Sequence, residues 1–182
     1  AGSDIERHPE SFTNQPGRHY PETFYQNGTY ASQYTLTSYN KDDATGPYNK
    51  MYSVVGKANA IITAMENVSN FADIIGAGEP SELGQLYGEA VALRATMYRE
   101  LIRYYGDVPY QEETITISEA LQRGRRPKAE VIPLVYADFD KAVARLPESY
   151  GQDENIHATK GAALAMKARF ALYMGDYEIA AK

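Results

Sequence analysis

The residues that could do chemistry in this chain are few and scattered. His8, His19 and His157 lie far apart in segments that read as loops. None has the HxxxH or HExxH spacing that would bring two imidazoles to one metal, so they read as surface histidines. The chain has no cysteine, which excludes disulfides, thiolate metal sites and cysteine nucleophiles within it. Asp138 and Asp140, at i and i+2, cannot share a helix face, and Glu112 and Glu113 are neighbours in a loop. No carboxylate pair is therefore nominated for glycoside hydrolysis. Asp42 and Asp43 fall in an expected loop, Asn40 to Gly46, but the twelfth position from Asn40 is Met51, where a calcium loop closes with Glu. GxSxG, a phosphate-cradling glycine loop and a nucleotide fingerprint are all missing. The expectation is no catalytic constellation, no metal site and no cofactor.

What remains is an unusual density of tyrosine. The chain has 16 Tyr and no Trp. Tyr20, Tyr25, Tyr30, Tyr34, Tyr39 and Tyr48 are interleaved with Gln26, Asn27, Gln33, Asn40, Asp42 and Asp43. A flat ring can cover the apolar C–H face of a sugar while amides and carboxylates take its hydroxyls. The candidate ligand-binding set is Tyr34, Tyr39, Asn40, Asp42, Asp43 and Tyr48. The alternative is that these tyrosines pin an irregular segment onto the helices.

The elements that would position them follow from periodicity and punctuation. Residues 1–46 carry no sustained helical period and are rich in Pro, Gly, Asn, Ser, Thr and Tyr, so they read as an irregular segment packed on a helical region, 47–182. Pro47 is expected to open a helix whose buried stripe is Tyr52, Val55, Ala58, Ile61, Ile62, Met65 and Val68. Asn67–Asn70 and Gly76–Pro80 mark its exit and a connector. Ser81 is a plausible N-cap for a long helix with apolar Leu83, Leu86, Tyr87, Ala90, Leu93, Met97, Tyr98, Leu101, Ile102 and Tyr105. Arg94, Arg99, Glu100 and Arg103 are assigned to its polar side. Gly106 is its expected C-cap, and Pro109 stops it from resuming.

A helical turn is expected near Ser118–Leu121. A helix from Pro127 buries Val131, Leu134, Val135, Ala142, Val143 and Leu146, with Phe139 beside them and Asp138 on the polar side. Thr159 should cap an alanine-rich helix, Lys160–Met174, central in a stack because small residues admit close backbone approach. Gly175-Asp176-Tyr177 turns into a further short helix, and the natural protein is expected to continue past Lys182. The fold class is all-α: a tetratricopeptide-like helical repeat array with long irregular loops, truncated at the C-terminus. The net charge of −6 argues against a general nucleic-acid binder. The basic run Arg123, Arg125, Arg126 and Lys128 lacks interleaved aromatics and reads as a solvated loop entering a helix. No apolar run approaches the roughly 20 residues of a membrane span.

Several blocks carry a resemblance. Gly88-Glu89-Ala90, Arg94-Ala95, Tyr98, and Leu101 through Tyr105-Gly106-Asp107-Val108-Pro109 are similar to the central signature of the SusD/RagB family. Lys57-Ala58-Asn59-Ala60-Ile61-Ile62 resembles its early helix. Ala137-Asp138-Phe139-Asp140-Lys141-Ala142, Leu146-Pro147, Thr159 to Ala163, Lys167-Ala168-Arg169, Leu172-Tyr173 and Gly175-Asp176-Tyr177 resemble the following segment in order and spacing. The resemblance implies a lipid-anchored protein on the outer face of the outer membrane. Such a protein has a helical-repeat scaffold and binds an oligosaccharide, or in some members a peptide. It passes the ligand to a SusC-like TonB-dependent transporter and is not an enzyme. The motifs match scaffold positions and assign no binding residue. A repeat scaffold gripping a protein or peptide partner is the alternative.

Overall fold

In a computed structural model, the structure describes residues 41–75, 81–151 and 157–181. The chain divides into two compact units, Ala1–Lys50 and Met51–Lys182; of the first, only the helical stretch 41–50 is described. The described elements are α1 (Lys41–Glu66), α2 (Phe71–Ile75), α3 (Glu82–Tyr105), α4 (Ile117–Gln122), α5 (Lys128–Val143), α6 (Lys160–Met174) and α7 (Tyr177–Ala180). Among the described residues there is no β-strand beyond one isolated bridge, Val108 with Arg126, and no helix is long and apolar enough to cross a membrane.

Local chemistry accounts for most helix ends. The Ser81 side chain accepts the Gly84 N–H at the start of α3, and the Thr159 side chain accepts the Ala162 N–H at the start of α6. Thr116 and Glu119 form a reciprocal capping box on α4, satisfying two donors that the helix itself leaves open. The end of α3 departs from expectation in detail. Gly106 has φ 70° and ψ −113°, outside the left-handed helical basin but still at a positive φ that a Cβ would strain. Asp107 then accepts the Lys128 N–H at 2.8 Å, so the turn closing α3 also caps the first turn of α5. Gly175 closes α6 in the left-handed conformation.

Two boundaries differ from the expected ones. The Asn40–Gly46 loop is, from Lys41 onward, the first turns of α1, and Pro47 lies inside the helix instead of opening it. A proline there forfeits one backbone hydrogen bond. The short helix α2 was not anticipated, because five residues are too few to show a period.

The core lies where α3 meets its neighbours. Ile62 of α1, Tyr87, Ala90, Val91 and Ala92 of α3, Ala142 of α5, Leu146 and Ala163 of α6 form one apolar cluster, with Phe71 and Ile75 of α2 packed against it. Helix α3 packs most extensively on α5, then α5 on α6 and α6 on α7. Gly88 permits the close approach, because a Cβ there would stand 3.0 Å from Cβ of Arg145 and 3.3 Å from Leu146.

The expected stripes are partly rotated. Leu83, Leu86 and Leu93 are exposed, as are Ile61 on α1 and Val68 just after it, whereas Arg94, Arg99 and Asp138, assigned to polar faces, are buried. Helix α6 also differs from expectation: it buries only Ala163, Phe170 and Ala171 and leaves Leu164, Met166, Leu172 and Tyr173 exposed. Alanines on every side of a helix carry no direction, so composition alone could not say how many of its faces would be covered.

Candidate functional site

The chemistry-bearing side chains of the described region gather at two places along α3. The first is a buried junction centred on Arg94. Its Nε and Nη2 donate to the two carboxylate oxygens of Asp138 at 2.8 and 2.7 Å, a bidentate pair across α3 and α5. Its Nη1 donates to Oδ1 of Asn59 at 3.0 Å and to the Glu112 carbonyl at 2.9 Å. Asn59, fully buried on α1, donates in turn to the carbonyls of Gln111 and Glu113 at 3.0 and 3.1 Å. The Tyr98 hydroxyl accepts the Gln111 N–H at 2.7 Å, and the Tyr52 hydroxyl donates to the Pro109 carbonyl at 2.6 Å.

These bonds strap the extended segment after Pro109 against three helices. A buried segment without regular structure must find partners for its backbone groups, and side chains from α1 and α3 supply them. Burial works against the charged form of Arg94, but the Asp138 hydrogen bond and charge outweigh it and hold its pKa above the usual value. Burial also pushes the Tyr98 and Tyr110 hydroxyls well above the normal tyrosine range. At Tyr87 the burial effect is reinforced by its hydrogen bond to Glu66. Arg94 makes four hydrogen bonds to the protein itself, and both carboxylate oxygens of Asp138 accept from it.

The second place is a cavity of about 350 Å³ between α3 and α6, lined by Arg99, Arg103, Arg169, Phe170, Leu172 and Tyr173. Arg99 and Arg103 both pair with Glu100. Arg103 also lies over the Tyr104 ring, 4.6 Å from its centroid. Of the remaining acidic and histidine groups, Glu89 holds His157 Nδ1 at 3.0 Å and the Ala158 N–H at 2.8 Å. Asp140 pairs with Lys167 on the surface. Among the described residues no cluster of three or more His, Asp or Glu side chains could hold a metal.

The tyrosine-based candidates are only partly placed. Tyr34, Tyr39 and Asn40 lie outside the described residues. Asp42 and Asp43 stand in the first turn of α1, and Tyr48 is half-buried further along it. Sequence reading missed both groupings along α3. The sequence pattern assigns Arg94 and Arg99 to the polar side of α3, whereas the structure buries both. The one available signal was the periodicity itself: Arg94 falls between Val91 and Tyr98 on the face that the core occupies.

The family described as starch-binding and associating with the outer membrane, SusD-like, matches residues 3–172, and this chain belongs to it. SusD-like protein P38 of Formosa agariphila is 28% identical over 134 residues, covering 73% of this chain and 24% of that protein. A SusD-like protein of Bacteroides fragilis superposes with a TM-score of 0.66 at 30% identity, covering 79% of this chain and 26% of the other. A SusD-like carbohydrate-binding protein of the same species gives 0.65 at 26% identity, with 74% and 25% covered. The tetratricopeptide-like helical architecture is shared with these structures. The chain spans about a quarter of the length of the curated relatives it matches.

Proposed function

We propose that this chain is the helical scaffold of a cell-surface glycan-binding protein. The full protein captures an oligosaccharide and delivers it to a SusC-like TonB-dependent transporter. It is held on the extracellular face of the outer membrane by a lipid anchor, and it acts by binding and not by turnover. The observation that carries this reading is the family match across 3–172, to a family described by starch binding and outer-membrane association. The carbohydrate-binding description of the B. fragilis relative adds support. On this reading Tyr34, Tyr39, Asn40, Asp42, Asp43 and Tyr48 contribute ring faces and hydroxyl partners to the ligand, and the junction at Arg94 keeps the helical scaffold rigid. Calorimetric titration of the full-length protein with a panel of neutral and acidic oligosaccharides tests it. Saturable binding without product formation is expected. A panel that yields no binding at all, or release of shorter sugars, sinks the reading.

One observation favours a second reading, a scaffold for a protein or peptide partner: Leu164, Met166, Leu172, Tyr173 and Tyr177 are exposed on α6 and α7. Capture of a peptide or protein that excess oligosaccharide fails to displace would favour that reading.

A further inference from the structure

The Arg94 junction and the Arg99 cavity use the same residue type differently. At Arg94 each of the two guanidinium nitrogens facing the carboxylate meets a matched oxygen. At Arg99, buried on the same helix, Nε has no hydrogen-bond partner among the described residues. Its Nη1 reaches only the thioether sulfur of Met166 at 2.9 Å, a weak acceptor for a charged donor. Its one good partner, Glu100, is shared with Arg103. Arg169, exposed on α6, completes the rim without an ion pair among the described residues. Three arginines thus line one cavity, and Glu100 is the carboxylate paired with two of them, a local positive excess in a chain whose net charge is −6. An underpaired buried cation is costly, and an oxyanion in the cavity would relieve that cost.

The other lining residues narrow the class of anion. Phe170, Leu172 and Tyr173 give the cavity an apolar and aromatic part beside its arginines. Its volume of about 350 Å³ falls within the roughly 300–1,000 Å³ of small-molecule sites. A ligand with a carboxylate for the arginine fork and a C–H face for an aromatic ring fits both parts. We infer that the cavity between α3 and α6 binds an acidic sugar residue, a uronate, with its carboxylate held by Arg99, Arg103 and Arg169 and its ring against Tyr173. This rests on the glycan-binding reading above and adds to it an anionic subsite away from the tyrosine-rich segment.

The test uses the full-length protein and saturation-transfer NMR. The probes are glucuronate and galacturonate beside glucose and galactose, with a glutamate-rich peptide as a further arm. At least one uronate should bind about tenfold more tightly than its neutral counterpart. That preference should vanish in Arg169→Ala, an exposed position whose loss leaves the fold intact, and in Arg103→Gln. Higher salt should weaken it. The proposal is overturned if uronates bind no better than neutral sugars, if the preference survives both variants, or if the peptide alone binds through Arg169. Binding of neutral oligosaccharides that is unchanged in these variants, together with any of those outcomes, would remove this subsite and leave the glycan-binding reading standing.

Discussion

Arg94 and Arg99 stand five residues apart on α3, exposed by only 4% and 8%, yet their surroundings are opposite. Arg94 meets two carboxylate oxygens, an amide oxygen and a carbonyl. Arg99 meets a sulfur and a carboxylate it must share, and its Nε meets nothing among the described residues. The comparison teaches that burial of a charge does not by itself assign a role. A buried guanidinium with its donors satisfied ties elements together. One left short of acceptors beside a cavity has capacity for a ligand.

The sharpest break in this comparison is Asp138→Ala. It leaves Arg94 buried without its counter-charge and should cost about 3–5 kcal/mol, read as a lowered urea midpoint at unchanged m-value. A variant that unfolds like the parent would show that the junction is not a keystone. Alkaline titration probes the same place. The Tyr98 and Tyr110 pKa values are raised on folding by burial, so the unfolded chain loses these protons first. The stability they contribute is present below the unfolded tyrosine pKa of about 10 and is lost as pH rises above it. Thermal midpoints measured from pH 8 upward should fall beyond about pH 10. A flat profile there would contradict the assignment.

Smaller effects are expected away from the junction. Asp107→Ala removes the cap that joins the end of α3 to α5 and should cost about 1 kcal/mol in chemical denaturation. Arg99→Met completes the comparison. It removes a guanidinium that is already short of partners, so stability should change by less than about 1 kcal/mol, since no matched buried charge is left behind. A loss as large as that of Asp138→Ala would make the two arginines equivalent and erase the distinction.

Helix ends were the most readable part of the sequence. Ser81, Thr159, Gly175 and Pro127 mark boundaries because capping depends on a few adjacent residues and little else. The role of Asp107 in tying down its turn was also within reach, although its actual partner, the Lys128 N–H 21 residues away, was not. The face assignments were harder. Leu83, Leu86 and Leu93 have helical spacing and are exposed, whereas Arg94 and Asp138 are charged and buried. A stripe drawn from residue polarity cannot tell that one charge will meet its opposite 44 positions away. The tyrosine set had no such tertiary check: Tyr34, Tyr39 and Asn40 lie outside the described residues.

By itself the sequence determined the class of fold, the order and ends of most helices, and through its motif blocks the family. Each of these depends on local propensity, capping chemistry and periodicity, which are properties of neighbouring residues. Only the tertiary structure decided that Arg94, Asp138 and Asn59 from three separate helices would converge, that α6 would leave much of its surface open, and that Arg99, Arg103 and Arg169 would line one cavity. Those outcomes depend on how helices pack, and a charge can be buried or left wanting only once a distant partner has either arrived or failed to.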